Sequence, residues 1–146
     1  MVNNTEELRL WFRDCPVLSP DNRFRVDYLS ERPCEYAIYS SPSPISYHEN
    51  VLGESIPDRI QSLNFIFASK APFGADVDQN LSNLAFFQAV VEWVIEKNNQ
   101  RQFPLINEGT VKSIIPTLTA YPAETGSDAA KYQIQLKMTY YRRNDS

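Results

Sequence analysis

Apolar residues recur at helical spacing near the start of the chain and at strand spacing soon afterwards. The first set follows the i, i+3, i+4, i+7 pattern of one helix face and consists of Leu8, Trp11, Phe12 and Cys15. Pro16 ends this helix, because proline cannot continue the backbone hydrogen bonding. Apolar and polar residues then alternate from Arg23 to Leu29 and from Glu35 to Ser40. This alternation predicts two strands joined as a hairpin.

The middle of the chain has a weaker pattern. Gly53 and Pro57 interrupt the stretch from Ile45 to Gln61, which we interpret as an irregular excursion with room for one short strand. The next segment, Ser62 to Ser69, alternates and has apolar residues on both faces toward its end. It is predicted to be a central strand, since only a strand covered on both faces takes that composition.

A long helix is predicted from Asp76 or Asp78 to Asn98. Its main apolar stripe contains Leu81, Leu84, Phe87, Val91 and Val94. A second set widens the apolar surface beyond what one contact needs, and its members are Phe86, Val90, Trp93 and Ile95. Two interpretations stay open: the helix is clamped between the sheet and the first helix, or part of it packs against another subunit.

Two further strands are predicted near the C-terminus, Val111 to Tyr121 and Ala130 to Tyr141, with Pro116 bending the first or placing it at an edge. The turn residues between them favour an antiparallel hairpin. The element order shows no regular strand–helix–strand alternation. We therefore predict an α+β fold with a mostly antiparallel sheet of about four to six strands and two helices on one face.

Length and composition describe an ordinary globular chain. The 146 residues suit one domain covering 1–146, and 42% are hydrophobic and 22% charged. No stretch approaches the roughly 20 apolar residues of a membrane-spanning helix. The N-terminus has neither a basic start nor an apolar block, so we expect a cytoplasmic protein without a secretory signal or a membrane partner.

The charge balance argues against nucleic acid as a direct partner. The chain carries 14 Lys and Arg against 18 Asp and Glu, whereas nucleic-acid binding depends on clustered cations. Arg142 and Arg143 form its basic cluster. Cys15 and Cys34 lack further Cys or His at metal-ligand spacing, so they are expected to be reduced thiols.

No residue pattern predicts catalysis, a cofactor or a metal. His48 stands alone in a loop rich in Ser and Pro, and a solvated side chain is a better interpretation than a general base. The four glycines lie far apart, which excludes a glycine-rich phosphate loop. Asp76 and Asp78 suit the start of a helix, where carboxylates favour the helix dipole. We expect no enzyme and no small-molecule substrate.

Tyrosines are placed on both faces of the predicted strands. Tyr36 and Tyr39 point to opposite sides, as do Tyr140 and Tyr141, because side chains alternate along a strand. Some of these rings must lie outside the core. They either cover the outer face of the sheet or mark a protein contact, and the sequence leaves both possibilities open.

Three segments together resemble a known family: RVDYLSERPCEYAI, NFIFASKAPFGADVDQNLSNLAFFQAVVEW and ETGSDAAKYQIQLKMTYYRR. They are similar to small proteins encoded in tail-morphogenesis clusters of prophages of Gram-positive bacteria. The family is often labelled "chloramphenicol resistance protein", but an acetyltransferase would need an HxxxD motif, and here Leu52 stands four residues after His48. The resemblance implies instead a tail-terminator or tail-completion protein.

Proteins of that kind form a ring, commonly a hexamer, that caps the tail tube and joins it to the head. The implied partners are other copies of the chain, tail tube or sheath proteins and head–tail connector proteins, first in the host cytoplasm and then in the virion tail. A monomeric or dimeric adaptor module is the alternative. The candidate subunit-interface residues are Phe86, Val90, Trp93, Phe73 and Asp76.

Overall fold

A computed structural model describes residues 4–18, 24–26, 35–72, 76–106, 109–125 and 129–142. Two helices and seven strands lie within these residues. In chain order they are α1 (Asn4–Phe12), β1 (Phe24–Val26), β2 (Tyr36–Ser41), β3 (Tyr47–Glu49), β4 (Ser55–Pro57), β5 (Ile60–Pro72), α2 (Val77–Gln100), β6 (Gly109–Thr125) and β7 (Ala129–Arg142).

Five of the strands form one sheet in the order β1-β2-β5-β7-β6, and β3 and β4 form a separate two-stranded hairpin. The β2–β5, β5–β7 and β6–β7 pairs are antiparallel. This confirms the predicted α+β fold with a mostly antiparallel sheet. The strand predicted to be central, β5, lies in the middle of the sheet, and the predicted C-terminal hairpin is formed by β6 and β7.

The predicted hairpin between the first two strands is wrong. β1 and β2 run parallel, with Phe24 opposite Tyr36 and Val26 opposite Ile38. Alternation along a strand tells which residues share a face, but it contains no information on strand direction. The connection predicted as a short turn falls in residues 27–34, which lie outside the described residues.

The segment from Ile45 to Gln61 is more regular than its sequence predicts. It contains two short strands, β3 and β4, instead of one, and Tyr47 pairs with Pro57 at the base of their hairpin. The first residues of β5 also belong to it, because that strand begins at Ile60. Most side chains of β3 and β4 are exposed, so no apolar alternation marks them.

Both helices pack on the same face of the sheet, around Phe67. This ring is fully buried and lies 5.3 Å from the Phe12 ring of α1 and 6.3 Å from the Phe87 ring of α2, measured between centroids. Trp11 and Trp93 join the two helices directly, with centroids 4.7 Å apart. The core is therefore a one-sided aromatic cluster, and the opposite face of the sheet has no helix on it among the described elements.

The long helix is capped at both ends. The Asp76 carboxylate accepts hydrogen bonds from the backbone N–H groups of Asp78 and Gln79 at 3.0 and 3.3 Å. Arg101 adopts the left-handed conformation, with φ 57°, that ends many helices. The helix-start role predicted for Asp76 is thus confirmed. Within the described ranges, neither helix has the length and apolar content needed to cross a membrane.

The outermost strand, β6, is irregular along its pairing with β7. Its register shifts at four places, one of them between Pro116 and Leu118. Pro116 cannot donate a ladder hydrogen bond, and such residues are tolerated at sheet edges. The predicted edge position of this proline is confirmed. Bulges and prolines also discourage another strand from adding to this edge.

Because Phe67 contacts rings from both helices, its truncation should destabilise the whole domain. We expect Phe67→Ala to lower the free energy of unfolding by about 3–5 kcal/mol. Urea unfolding followed by circular dichroism measures this value. Leu105→Ala is the matched control, since Leu105 is 86% exposed and should change stability by less than about 0.5 kcal/mol. Equal effects of the two substitutions would contradict the described core.

Candidate interaction surfaces

The predicted interface residues on α2 lie mainly in the core of the chain itself. Val90 is fully buried and Trp93 is 8% exposed. The half-buried Phe86 ring is stacked against the Tyr36 ring, with the two centroids 6.2 Å apart. A neighbouring subunit could contact the Val90 side chain only if the core opened. Val90 and Trp93 therefore belong to the core of the chain, whereas Phe86 is half-buried.

A different set of α2 residues forms an exposed apolar stripe. Val77 and Leu81 are 68% and 57% exposed, and Leu84 and Ile95 are each 40% exposed. These residues are spaced i, i+4, i+7 and i+18, which places all four along one line of a helix. We call this set the α2 stripe. The sequence placed Leu81 and Leu84 in the main stripe, but they are exposed, and Ile95 is the one member of the second predicted set that belongs to the α2 stripe.

The two other predicted interface residues lie at or before the start of α2. Phe73 lies outside the described residues. Asp76 is exposed, and its carboxylate is bonded to the backbone of the first helical turn. It lies one residue before Val77, the first member of the α2 stripe.

The β3–β4 hairpin presents two aliphatic side chains at its tip. Val51 and Leu52 are 103% and 78% exposed. The tip is nevertheless well held, because the Asn50 side-chain oxygen accepts hydrogen bonds from the backbone N–H groups of Leu52 and Glu54 at 2.9 and 3.0 Å. Gly53 takes a positive φ of 79°, which a glycine adopts without strain. The turn thus holds two apolar side chains in water.

Ser46, His48 and Asp58 form a polar cluster at the base of this hairpin. The Asp58 carboxylate accepts a short hydrogen bond from the Ser46 hydroxyl and lies 2.7 Å from His48 Nδ1. Both bonds lower the pKa of Asp58 below its ordinary value, and the bond from Ser46 has the larger effect. In a hydrolase triad the histidine stands between the nucleophile and the carboxylate. Here the carboxylate stands between the other two, so Ser46 is not activated by His48.

The same cluster connects the hairpin to the sheet through Gln61. Its side-chain nitrogen donates to the backbone oxygens of Ser46 and Asp58, both at 2.8 Å, and its side-chain oxygen accepts from Ser46 N at 3.0 Å. Gln61 is 5% exposed and belongs to β5. A buried amide with these partners fixes the position of the hairpin relative to the sheet.

A cavity of about 390 Å³ lies between the two helices, beside Trp11 and Trp93. A smaller one, of about 240 Å³, lies between the hairpin base and the sheet, beside Tyr47 and Tyr140. Another, of about 170 Å³, lies between Phe86 and the end of β5. Small-molecule sites typically have about 300–1,000 Å³. The described part of the chain holds no group of three His, Cys, Asp or Glu side chains placed to bind a metal.

The two cysteines give no reactive site in the described structure. Cys15 is buried, and desolvation raises the pKa of its thiol, which makes it a poor nucleophile. Cys34 lies outside the described residues.

The helix-free face of the sheet carries aromatic rings covered by polar side chains. Lys131 Nζ lies 4.2 Å from the centre of the Tyr39 ring, and the Gln133 side chain donates to the Tyr121 hydroxyl at 2.8 Å. Tyr141 lies on this face as well, whereas Tyr140 is buried in the core. The predicted placement of tyrosines on both faces is confirmed. We call this surface the outer face.

Comparison with protein-family models and with curated proteins finds no match to this chain. The α2 stripe could have been recognised in the sequence, because Val77, Leu81, Leu84 and Ile95 fit one helical line. The Ser46–Asp58–Gln61 contacts had no sequence signal, since their partners belong to different elements.

We predict that Ser46→Ala raises the pKa of Asp58 toward its ordinary value of 3.8. The hydroxyl bond stabilises the ionised carboxylate, so this stabilisation is present above the ordinary pKa and is lost as the pH falls through the lowered value. NMR titration of the Asp58 side-chain carbon measures the change. Ser43→Ala is the control, because the Ser43 hydroxyl bonds to Asn64 N and Ser41 O. An unchanged Asp58 pKa in Ser46→Ala would contradict the cluster.

Proposed function

We propose that this chain is a structural protein of a prophage tail, a tail-terminator-like subunit whose copies form a ring on the tail tube and join it to the head. Its role is non-catalytic and consists of contacts with other copies and with tail tube, sheath or connector proteins. The proposal draws on the resemblance of three sequence segments to a prophage tail family and on the apolar surfaces of the fold.

The α2 stripe is the observation that carries the proposal. Its four aliphatic side chains extend from Val77 to Ile95, a distance of about 27 Å at the rise of an α-helix. Exposed apolar side chains aligned along one element mark a protein contact, and here the exposed Gln88 separates Leu84 from Ile95 on this line. A ring subunit needs such a surface on each copy, since every copy meets two neighbours.

The hairpin tip offers a second contact, with a different partner. Val51 and Leu52 lie at the end of a projecting, hydrogen-bonded turn, so they can enter a depression on another protein at little entropic cost. In the ring we assign this tip to the tail tube or to the connector. This separates the contacts between copies from the contacts with the rest of the tail.

An adaptor module is the second candidate, and the same hairpin tip favours it. A monomer or dimer that binds its partner through Val51 and Leu52 alone would need no contact along α2. The two candidates therefore differ in what a change of the α2 stripe does to assembly.

For the ring, we predict that Leu81→Gln/Leu84→Gln weakens self-association and binding to tail tubes by at least about tenfold, because exposed apolar area at the contact is lost. Light scattering coupled to gel filtration, with the chain alone and with purified tail tubes, measures both effects. Leu10→Gln/Leu105→Gln is the matched control: it makes the same change at two exposed leucines that lie outside α2.

Ring-sized species, or stoichiometric binding at tube ends, would support the ring. Loss of tube binding only in Val51→Ser/Leu52→Ser, with no effect of the stripe variant, would favour the adaptor. A wild-type chain that remains monomeric and does not bind tail tubes would contradict both functions.

A further inference from the structure

We infer that the outer face of the sheet is the docking site for α2 of a second copy of this chain, so that copies stack head to tail. The inference rests on the proposed ring and specifies the two surfaces that meet in it. It follows from complementary charge, from matching lengths and from the partly apolar side chains of the outer face.

No helix covers the outer face among the described residues, which is common for an antiparallel sheet. Both helices pack against the other face, around Phe67. The outer face is nevertheless partly apolar: Ile115 is 41% exposed, and Ile66, Tyr39 and Tyr141 are half-buried. A helix with an apolar stripe is a suitable cover for such a surface.

Cations stand at both ends of this face. Lys70 and Lys131 are directly opposite each other at one end of the β5–β7 pair. Toward the other end, Lys137 lies opposite Ile115, and Lys112 and Arg59 lie 5.8 and 5.7 Å from the Tyr141 ring centre. The first of these ends also has carboxylates near it: Glu35 directly precedes Tyr36, whose partner Ser69 adjoins Lys70, and the Glu124 backbone is paired with Lys131. The other end, with Lys112, Lys137 and Arg59, is the positive one among the described side chains.

Helix α2 carries the opposite charge beside its apolar stripe. Asp78 is exposed in the first turn, and Glu92 and Glu96 are exposed near the other end. Gln88 donates to Glu92 at 3.0 Å, and Gln100 donates to Glu96 at 3.2 Å, so both carboxylates are held along the helix. The nearby cation Lys97 is turned elsewhere, since its Nζ bonds to the Gln102 side chain at 2.6 Å.

The charges are spaced equally on the two surfaces. Asp78 and Glu92 are separated by about 21 Å along the helix axis. Lys131 and Lys137 are separated by about 20 Å along their strand. The C-terminal part of α2, with Glu92 and Glu96, therefore lies over the end of the outer face that has Lys112 and Lys137. Asp78, in the first turn of α2, then lies over the opposite end of that face, near Lys131.

This arrangement gives the second copy the same orientation as the first. Within one copy, α2 already ends near the start of β6, where the Asn98 side chain accepts from Ile114 N at 3.1 Å. A second α2 on the outer face, with Glu96 near Lys112, runs in the same direction. Such a contact uses two different surfaces of the chain, which closes into a ring if the rotation between copies permits it.

The same cations could in principle attract nucleic acid, but the observations favour a second copy. Lys131 and Lys112 lie over tyrosine rings, and the cations stand in two separated groups with apolar residues between them. Phosphate binding instead needs a continuous basic track. The chain also carries a net charge of -4, and its own acidic helix supplies the matching partner.

A charge exchange between two variants tests the inference. The sheet variant is Lys112→Glu/Lys137→Glu, and the helix variant is Glu92→Lys/Glu96→Lys. Each variant alone sets like charges against each other and should self-associate at least about tenfold more weakly than the wild type. An equimolar mixture should associate again, because both of its contacts pair opposite charges. Sedimentation velocity at several concentrations, at low and high salt, measures all three samples.

Recovery in the mixture, together with weaker association at high salt, is the expected result. Weak association in both variants without recovery in the mixture would overturn the inference, as would a wild-type chain that is monomeric up to about 1 mM. Binding of a labelled DNA duplex that is lost in the sheet variant would also overturn it, by assigning the face to nucleic acid. If the mixture associates again but the wild-type chain does not bind tail tubes, the result supports the docking surfaces and contradicts the tail function.

Discussion

The fold depends on aromatic packing on one side of the sheet. Phe67 is fully buried and contacts rings from α1 and from α2, and Trp11 and Trp93 complete the connection between the helices. Because both helices are held there, the described core has one layer of helix and one of sheet. The opposite face, with Tyr39 and Tyr141, is left to polar and cationic side chains. That asymmetry determines which surfaces are available for contacts.

In the proposed assembly, the exposed apolar stripe of α2 is the counterpart of this face. Val90 and Trp93 pack into the core, whereas Leu81 and Leu84 remain exposed beside the carboxylates of Glu92 and Glu96. In the proposed ring, these two surfaces of one chain meet the complementary surfaces of its two neighbours. The polar cluster of the β3–β4 hairpin fixes the position of that hairpin relative to the sheet.

Local patterns were sufficient to predict most elements but not their arrangement. Helix α2, its Asp76 cap and the β6–β7 hairpin follow from spacing within one segment. Two apolar sets on α2 satisfy the same spacing, so periodicity could not decide whether Leu81 or Val90 meets the sheet. The direction of β1 and the bonds from Gln61 to the hairpin depend on contacts between distant segments, which alternation does not encode.

Zero-length cross-linking of a carboxylate to a lysine most directly tests whether copies dock through these surfaces. A mixture of chains with natural and heavy nitrogen isotopes would be treated with a carbodiimide and analysed by mass spectrometry, which separates links within a chain from links between chains. The account predicts isotopically mixed links between Lys137 or Lys112 and Glu92 or Glu96. Lysine–carboxylate links confined to single chains, or mixed links that avoid the outer face, would contradict it.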